Sequence, residues 1–194
     1  MKILLDILQG AGLATSSGLR PFLPALAAGG FAAGDIGVDF EGTDFAFLER
    51  PWFLVLLAVA LVASVLLRGY TEKGPGAAAL AGLGAGLGAV LFAGSLADRH
   101  ETWWYGLIAG AVLALFASSV STELIGRVRD RFRAQDDSAA AGALPLYLES
   151  AAVLVCIASI LAPPLALLAI GFLVALFIKG REDRGKFAGL RILR

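Results

Sequence analysis

The stretch from Leu144 to Ile178 contains one charged residue, Glu149, in 35 positions. As a continuous α-helix it would extend about 52 Å, far beyond a bilayer hydrocarbon core of about 30 Å. Pro163-Pro164 divides the stretch; neither proline has an N–H to donate, and each restricts the residue before it. The stretch is therefore read as a helical hairpin with arms Leu144 to Ala162 and Leu165 to Ile178. Of the 194 residues, 58% are hydrophobic and 16% charged, with a mean hydropathy of +0.81. That balance excludes a water-soluble fold and leaves no room for a separate soluble domain beside the spans.

Windows of about 19 residues mark three clean spans, Trp52 to Leu67, Gly76 to Ala97 and Trp103 to Val120. A further region, Ile3 to Ala33, is interrupted by Thr15-Ser16-Ser17-Gly18-Leu19-Arg20-Pro21-Phe22-Leu23-Pro24 and reads as a broken span. Asp6 interrupts its first apolar stretch and the small-residue cleavage site is poor, so the segment is read as retained rather than as a signal peptide. The expected fold is all-α: a polytopic membrane bundle of about six spans in one domain, residues 1–194, with a broken first helix and a terminal hairpin. Its surrounding partner is the lipid bilayer.

Sixteen basic and sixteen acidic residues cancel, which is not the footprint of a nucleic-acid binder. The cancellation hides an asymmetry. In a six-span arrangement Lys2, Arg68, Lys73, Arg127, Arg129, Arg131, Arg133, Lys179, Arg181, Arg184, Lys186, Arg191 and Arg194 fall on one side, Arg50 and Arg99 on the other, and Arg20 stays in the membrane. Basic residues in short loops set orientation, so both termini are expected in the cytoplasm. The opposite side carries Asp35, Asp39, Glu41, Asp44, Glu49, Asp98 and Glu101. The aromatic groups Phe45, Phe47, Trp52, Phe53 and Trp103-Trp104-Tyr105 meet its boundary, where amphipathic rings settle.

Arg20 is the most informative residue. A charge at this depth faces a partner or a water-filled cavity, and the flanking glycine and prolines predict a discontinuous helix whose freed backbone groups must line protein or a cavity. Such breaks build midplane sites in secondary transporters; the alternative is a structural ion pair or a side chain that snorkels to the interface. Glu149, following Pro145 and Tyr147, is the natural counter-charge, and Asp6 is a second candidate at comparable depth. Ser17 and Tyr147 complete the candidate transport or ion-pair set.

Gly82, Gly84, Gly86 and Gly88 form two overlapping small-xxx-small frames, and Gly106 with Gly110 repeats the spacing. Small residues let helix backbones approach where lipid gives no hydrophobic drive for association. Packing within one subunit and a homo-oligomer face both fit.

Catalytic patterns are thin. Thr15-Ser16-Ser17-Gly18 lacks the leading glycine of intramembrane serine proteases, and the only histidine, His100, falls in a loop, so no nucleophile and base pair can be named. There is no His-Glu-x-x-His, and the glycines lack the spacing and preceding strand of a nucleotide fingerprint. The acidic loop Asp35 to Asp44 does not match a calcium-binding loop and is read as solvated. The single cysteine, Cys156, excludes an internal disulfide and a cysteine-only metal cluster. Alternating Arg127, Arg129, Arg131 and Arg133 suit attraction to anionic lipid. No enzyme and no cofactor are expected.

Three segments together carry a family likeness: Gly12-Leu13-Ala14-Thr15-Ser16-Ser17-Gly18-Leu19-Arg20-Pro21-Phe22-Leu23-Pro24, Phe47-Leu48-Glu49-Arg50-Pro51-Trp52, and Leu144-Pro145-Leu146-Tyr147-Leu148-Glu149. Over nearly the whole chain the sequence resembles a bacterial integral-membrane family, domain of unknown function 4126. The resemblance implies a bacterial inner-membrane location and carries no established chemistry. Relatives resemble one another around a longer acidic and aromatic stretch, where this chain has only Arg68-Gly69-Tyr70-Thr71-Glu72-Lys73-Gly74-Pro75. The function expected from the residues is a small permease or channel for a small solute or ion, with a non-transporting scaffold as the alternative.

Overall fold

The computed structural model describes residues 2–67, 74–97, 103–135 and 138–188. Among these residues there are seven α-helices and a short 3-10 helix, Ala46–Glu49. The helices are α1 Lys2–Leu19, α2 Phe22–Ala32, α3 Pro51–Leu66, α4 Gly74–Ala97, α5 Trp104–Ala134, α6 Ser138–Leu161 and α7 Leu165–Ala188. Within them Gly74–Ala97, Trp104–Phe132 and Gly142–Leu161 are long and apolar enough to cross a membrane, and Phe22–Ala32, Pro51–Leu66 and Leu165–Gly180 are shorter apolar segments.

The centre of the bundle is a helix rich in glycine, alanine, serine and threonine. α1 is in neither apolar set, yet its residues from Leu8 to Gly18 are all buried, and it packs against α2, α4, α5, α6 and α7. In water that arrangement would waste burial. In lipid it is favourable, because small and polar residues give close backbone packing and interhelical hydrogen bonds that leucine does not. Many large apolar side chains of the outer helices point outward instead: Val55, Val59 and Val62 on α3, Ile108 and Val112 on α5, and Leu167, Leu168 and Phe172 on α7 are all exposed.

Glycines set the tightest approaches. A Cβ on Gly84 would meet the Ser17 carbonyl, and one on Gly88 would meet Ala114 and the backbone of Ala14; Gly106 and Gly110 of α5 lie against Ala93 and Ala89 of α4. These contacts make α1, α4 and α5 one tightly packed unit. Gly82 and Gly86 face the other way, with nothing within 4 Å of a Cβ.

The first segment differs from the single broken crossing that the sequence predicts. α1 ends where Arg20 N–H donates to the Ser16 carbonyl at 3.1 Å, and Pro21, with no N–H, cannot extend the ladder. The chain then turns and α2 runs back along α1, with Phe22 and Ala25 beside Leu13 in one cluster. After α2, Gly37 reaches the middle of α1, where its carbonyl accepts from Gln9 Nε2 at 2.6 Å. The segment therefore returns to the end from which it starts. At the far end Leu19 packs with Leu173, Leu176 and Phe177, and Gly180 lies beside Arg127. Lys2 and the end of α7 thus lie at opposite ends of the bundle, unlike the shared side that an even number of crossings would give.

Two other boundaries move. The apolar span expected to end at Val120 continues as helix to Ala134, and the arm expected from Leu144 starts at Ser138 and runs through Pro145. The hydropathy window stops where side chains become charged, but the backbone does not. Glu123 and Arg127, one turn apart at 3.8 Å, support the extension.

The loop between α2 and α3 is anchored as well as solvated. Its carboxylates Asp35, Asp39, Glu41 and Asp44 are exposed, while Val38, Phe40, Phe45 and Leu48 are buried in the core. Phe40 sits against Gly94, and Phe45 meets Trp103 edge-on, 5.2 Å between ring centroids. Gly37 has φ +72° and Ile160 at its α-carbon, so a side chain there would be both strained and crowded.

Candidate functional site

Arg20 occupies the turn between α1 and α2, where the α-helical ladder of one ends and that of the other begins. Its Nε lies 3.7 Å from Glu149 Oε1 on α6, and the two side chains are only 15% and 12% exposed. The ion pair ties the discontinuity to the terminal hairpin. A second tie lies deeper, where the buried Cys156 thiol donates to the Pro24 carbonyl at 3.4 Å. Proline at position 24 cannot donate in α2's first turn, and α6 holds that turn by its acceptor instead.

Beside Arg20 is a cavity of about 220 Å³ between the α1–α2 turn, α4 and α5. Among the described residues, the charged groups in its wall are both cationic: Arg20 and Arg129. Ser118, Ser121 and Thr122 add hydroxyls to the same wall. Ser121 and Thr122 both donate to the Ser118 carbonyl, at 2.9 and 2.8 Å. Pro21 also lines it, so α2 begins at this wall, and no side chain caps that start. The positive end of the α2 dipole therefore adds to the two guanidinium groups.

A second cavity, about 260 Å³, lies at the other end of α1 and has the opposite character: Asp6, Asp35 and Asp39 are its charged residues, with Gln9 and Ser95. Ser95 Oγ approaches the Asp6 carbonyl at 3.4 Å. Between the two cavities α1 presents Thr15, Ser16 and Ser17, buried at 2%, 0% and 0% exposure. Thr15 and Ser16 return their protons to their own helix, to the Ala11 and Leu13 carbonyls. Ser17 Oγ makes no hydrogen bond among the described residues. Ser159 of α6 faces Gly12 in the same layer.

The candidate residues are thus separated. Arg20 and Glu149 meet. Asp6, the other candidate counter-charge, is fourteen residues earlier on the same helix, about 21 Å away along its axis, and belongs to the acidic cavity. Ser17 is buried in the packed layer between the cavities, and Tyr147 is 72% exposed on the outer face of α6. Gly84, Gly88, Gly106 and Gly110 pack helices within the chain, and Gly82 and Gly86 do not. Among the described residues no group of three or more His, Cys, Asp or Glu could hold a metal ion. His100 and the segment Arg68 to Lys73 lie outside the described residues.

Sequence reading missed the contribution of α5. Ser118, Ser121, Thr122, Ile125 and Arg129 recur at three- and four-residue steps, which puts them on one helix face. That polar stripe at the edge of an apolar span was a usable signal. Arg129 was hidden among alternating arginines that anionic lipid explains as a group.

Comparison with family models, curated proteins and solved structures finds no match.

Proposed function

We propose that this chain is a small multi-pass membrane permease or channel for a small solute or ion. The observation that supports it is the pair of cavities at opposite ends of α1, one cationic and one acidic, separated by a short layer of buried hydroxyls and glycines. A purely structural bundle core gains nothing from two polar cavities at opposite ends of its central helix. The resemblance to the bacterial family named above supports an inner-membrane location. The basic-loop rule places the end bearing Arg127 and Arg129 in the cytoplasm, which puts Lys2 on the other side. Flux into liposomes, measured for anions, cations and small zwitterions with the wild type and Arg20→Ala, tests the reading. Flux that falls at least tenfold in the variant is expected, and no flux for any solute tried would overturn it.

A second reading, a non-transporting scaffold, draws on the outward Gly82–Gly86 frame, which has no neighbour within 4 Å among the described residues and suits assembly with a second copy. Normal assembly after Arg20→Ala, with loss of assembly after Gly86→Leu, would favour it.

A further inference from the structure

We infer that the cavity beside Arg20 is a binding site for an oxyanion, a phosphate group above all. Three features of its wall converge on that chemistry. Arg20, in the α1–α2 turn, and Arg129, on α5, are the charged groups lining it among the described residues, and a guanidinium presents a planar fork of donors that matches phosphate oxygens. Glu149 Oε1 lies 3.7 Å from Arg20 Nε, which anchors the guanidinium at the edge of the cavity. The uncapped start of α2 at Pro21 adds the positive end of a helix dipole, the polarity that binds anions elsewhere.

The hydroxyls complete the site. Ser121 and Thr122 hold their protons on one carbonyl, that of Ser118. A hydroxyl proton rotates freely, so an arriving oxyanion gains two donors without any movement of backbone. The volume, about 220 Å³, is several times the roughly 30 Å³ that one water takes in the liquid. The acidic cavity at the other end of α1 would repel the same ligand, so the site is specific to this end of the bundle.

The phosphate can belong to a free solute or to an anionic lipid headgroup, since the cavity lies at the basic end of the apolar helices. The site shares its cavity with the transport reading, and binding measured without a gradient separates the two: binding without flux defeats transport and leaves the site. The full chain in phosphatidylcholine nanodiscs would be titrated calorimetrically with inorganic phosphate. In parallel, protein extracted from phosphatidylglycerol nanodiscs would be assayed for retained lipid by native mass spectrometry. Arg129→Gln leaves the Arg20–Glu149 pair intact. The double variant Arg20→Gln/Glu149→Gln removes both charges together, so neither is left buried alone. Loss of one charge-assisted contact predicts about a tenfold drop in affinity for each. A phosphate response that falls in the variants identifies a free anion, and lipid retention that falls without a phosphate response identifies a headgroup. If neither ligand is held, or if Arg129→Gln, checked for folding by its melting temperature, holds it as well as the wild type, the inference is wrong.

Discussion

Arg20 Nε and Glu149 Oε1 stand 3.7 Å apart at the point where α1 gives way to α2. Two residues separated by most of the sequence thereby fix a helix break to the first arm of the terminal hairpin. Removing one partner of a buried pair leaves the other charge without compensation, a loss of about 3–5 kcal/mol in comparable sites. Arg20→Ala should therefore destabilise the protein by roughly 3 kcal/mol, and Arg20→Ala/Glu149→Ala should recover more than half of that. Equilibrium unfolding in mixed micelles reads both. Equal loss in the single and double variants would show that the pair is not the source.

Glycines on the two faces of α4 should respond differently. Gly88 has Ala114 and the Ala14 backbone against it, whereas Gly86 has open space. Gly88→Leu should cost about 1–3 kcal/mol by overpacking and lower the melting temperature, while Gly86→Leu should leave the isolated subunit unchanged.

The hairpin made by α1 and α2 predicts that Lys2 and Asp39 share one side of the membrane and Gln135 lies on the other. Cys156 is fully buried, and replacing it with alanine supplies a background for single cysteines. A membrane-impermeant thiol reagent applied to intact cells should label Lys2→Cys and Asp39→Cys and spare Gln135→Cys. Labelling of Asp39→Cys alone would mean that the first segment crosses once.

Acid should relieve one group at the acidic end. Burial, reinforced by the charges of Asp39 and Glu41, raises Glu49 above its ordinary carboxylate value, against a backbone hydrogen bond from Phe40 and the charge of Arg50. A raised acid binds protons more readily folded than unfolded, so its cost is absent below the usual carboxylate range and grows as pH rises through the raised value. Glu49→Gln should raise the melting temperature slightly at pH 7 and lose that advantage near pH 4. An advantage that persists at pH 4 would assign it to packing.

Much of this was legible in the chain itself. The apolar helices appear because long uncharged stretches can satisfy their backbone groups in lipid only as helix. The break at Arg20-Pro21 is a local fact about a residue with no N–H, and the hairpin at Pro163-Pro164 follows from length. The pairing of Arg20 with Glu149 was one of two candidates, and Asp6 dropped out only because fourteen residues of unbroken helix carry it to the other end.

The membrane-length helices, their breaks and the uneven placement of charge depend only on neighbours along the chain. Tertiary packing doubles the first segment back, puts a helix rich in small and polar residues at the centre, and brings Arg129 to the same wall as Arg20. Hydropathy measures whether a side chain tolerates lipid; it does not say which helix the others surround. That choice rests on close fits such as Gly84 against Ser17 and Gly88 against Ala14, and those exist only once α1, α4 and α5 have come together.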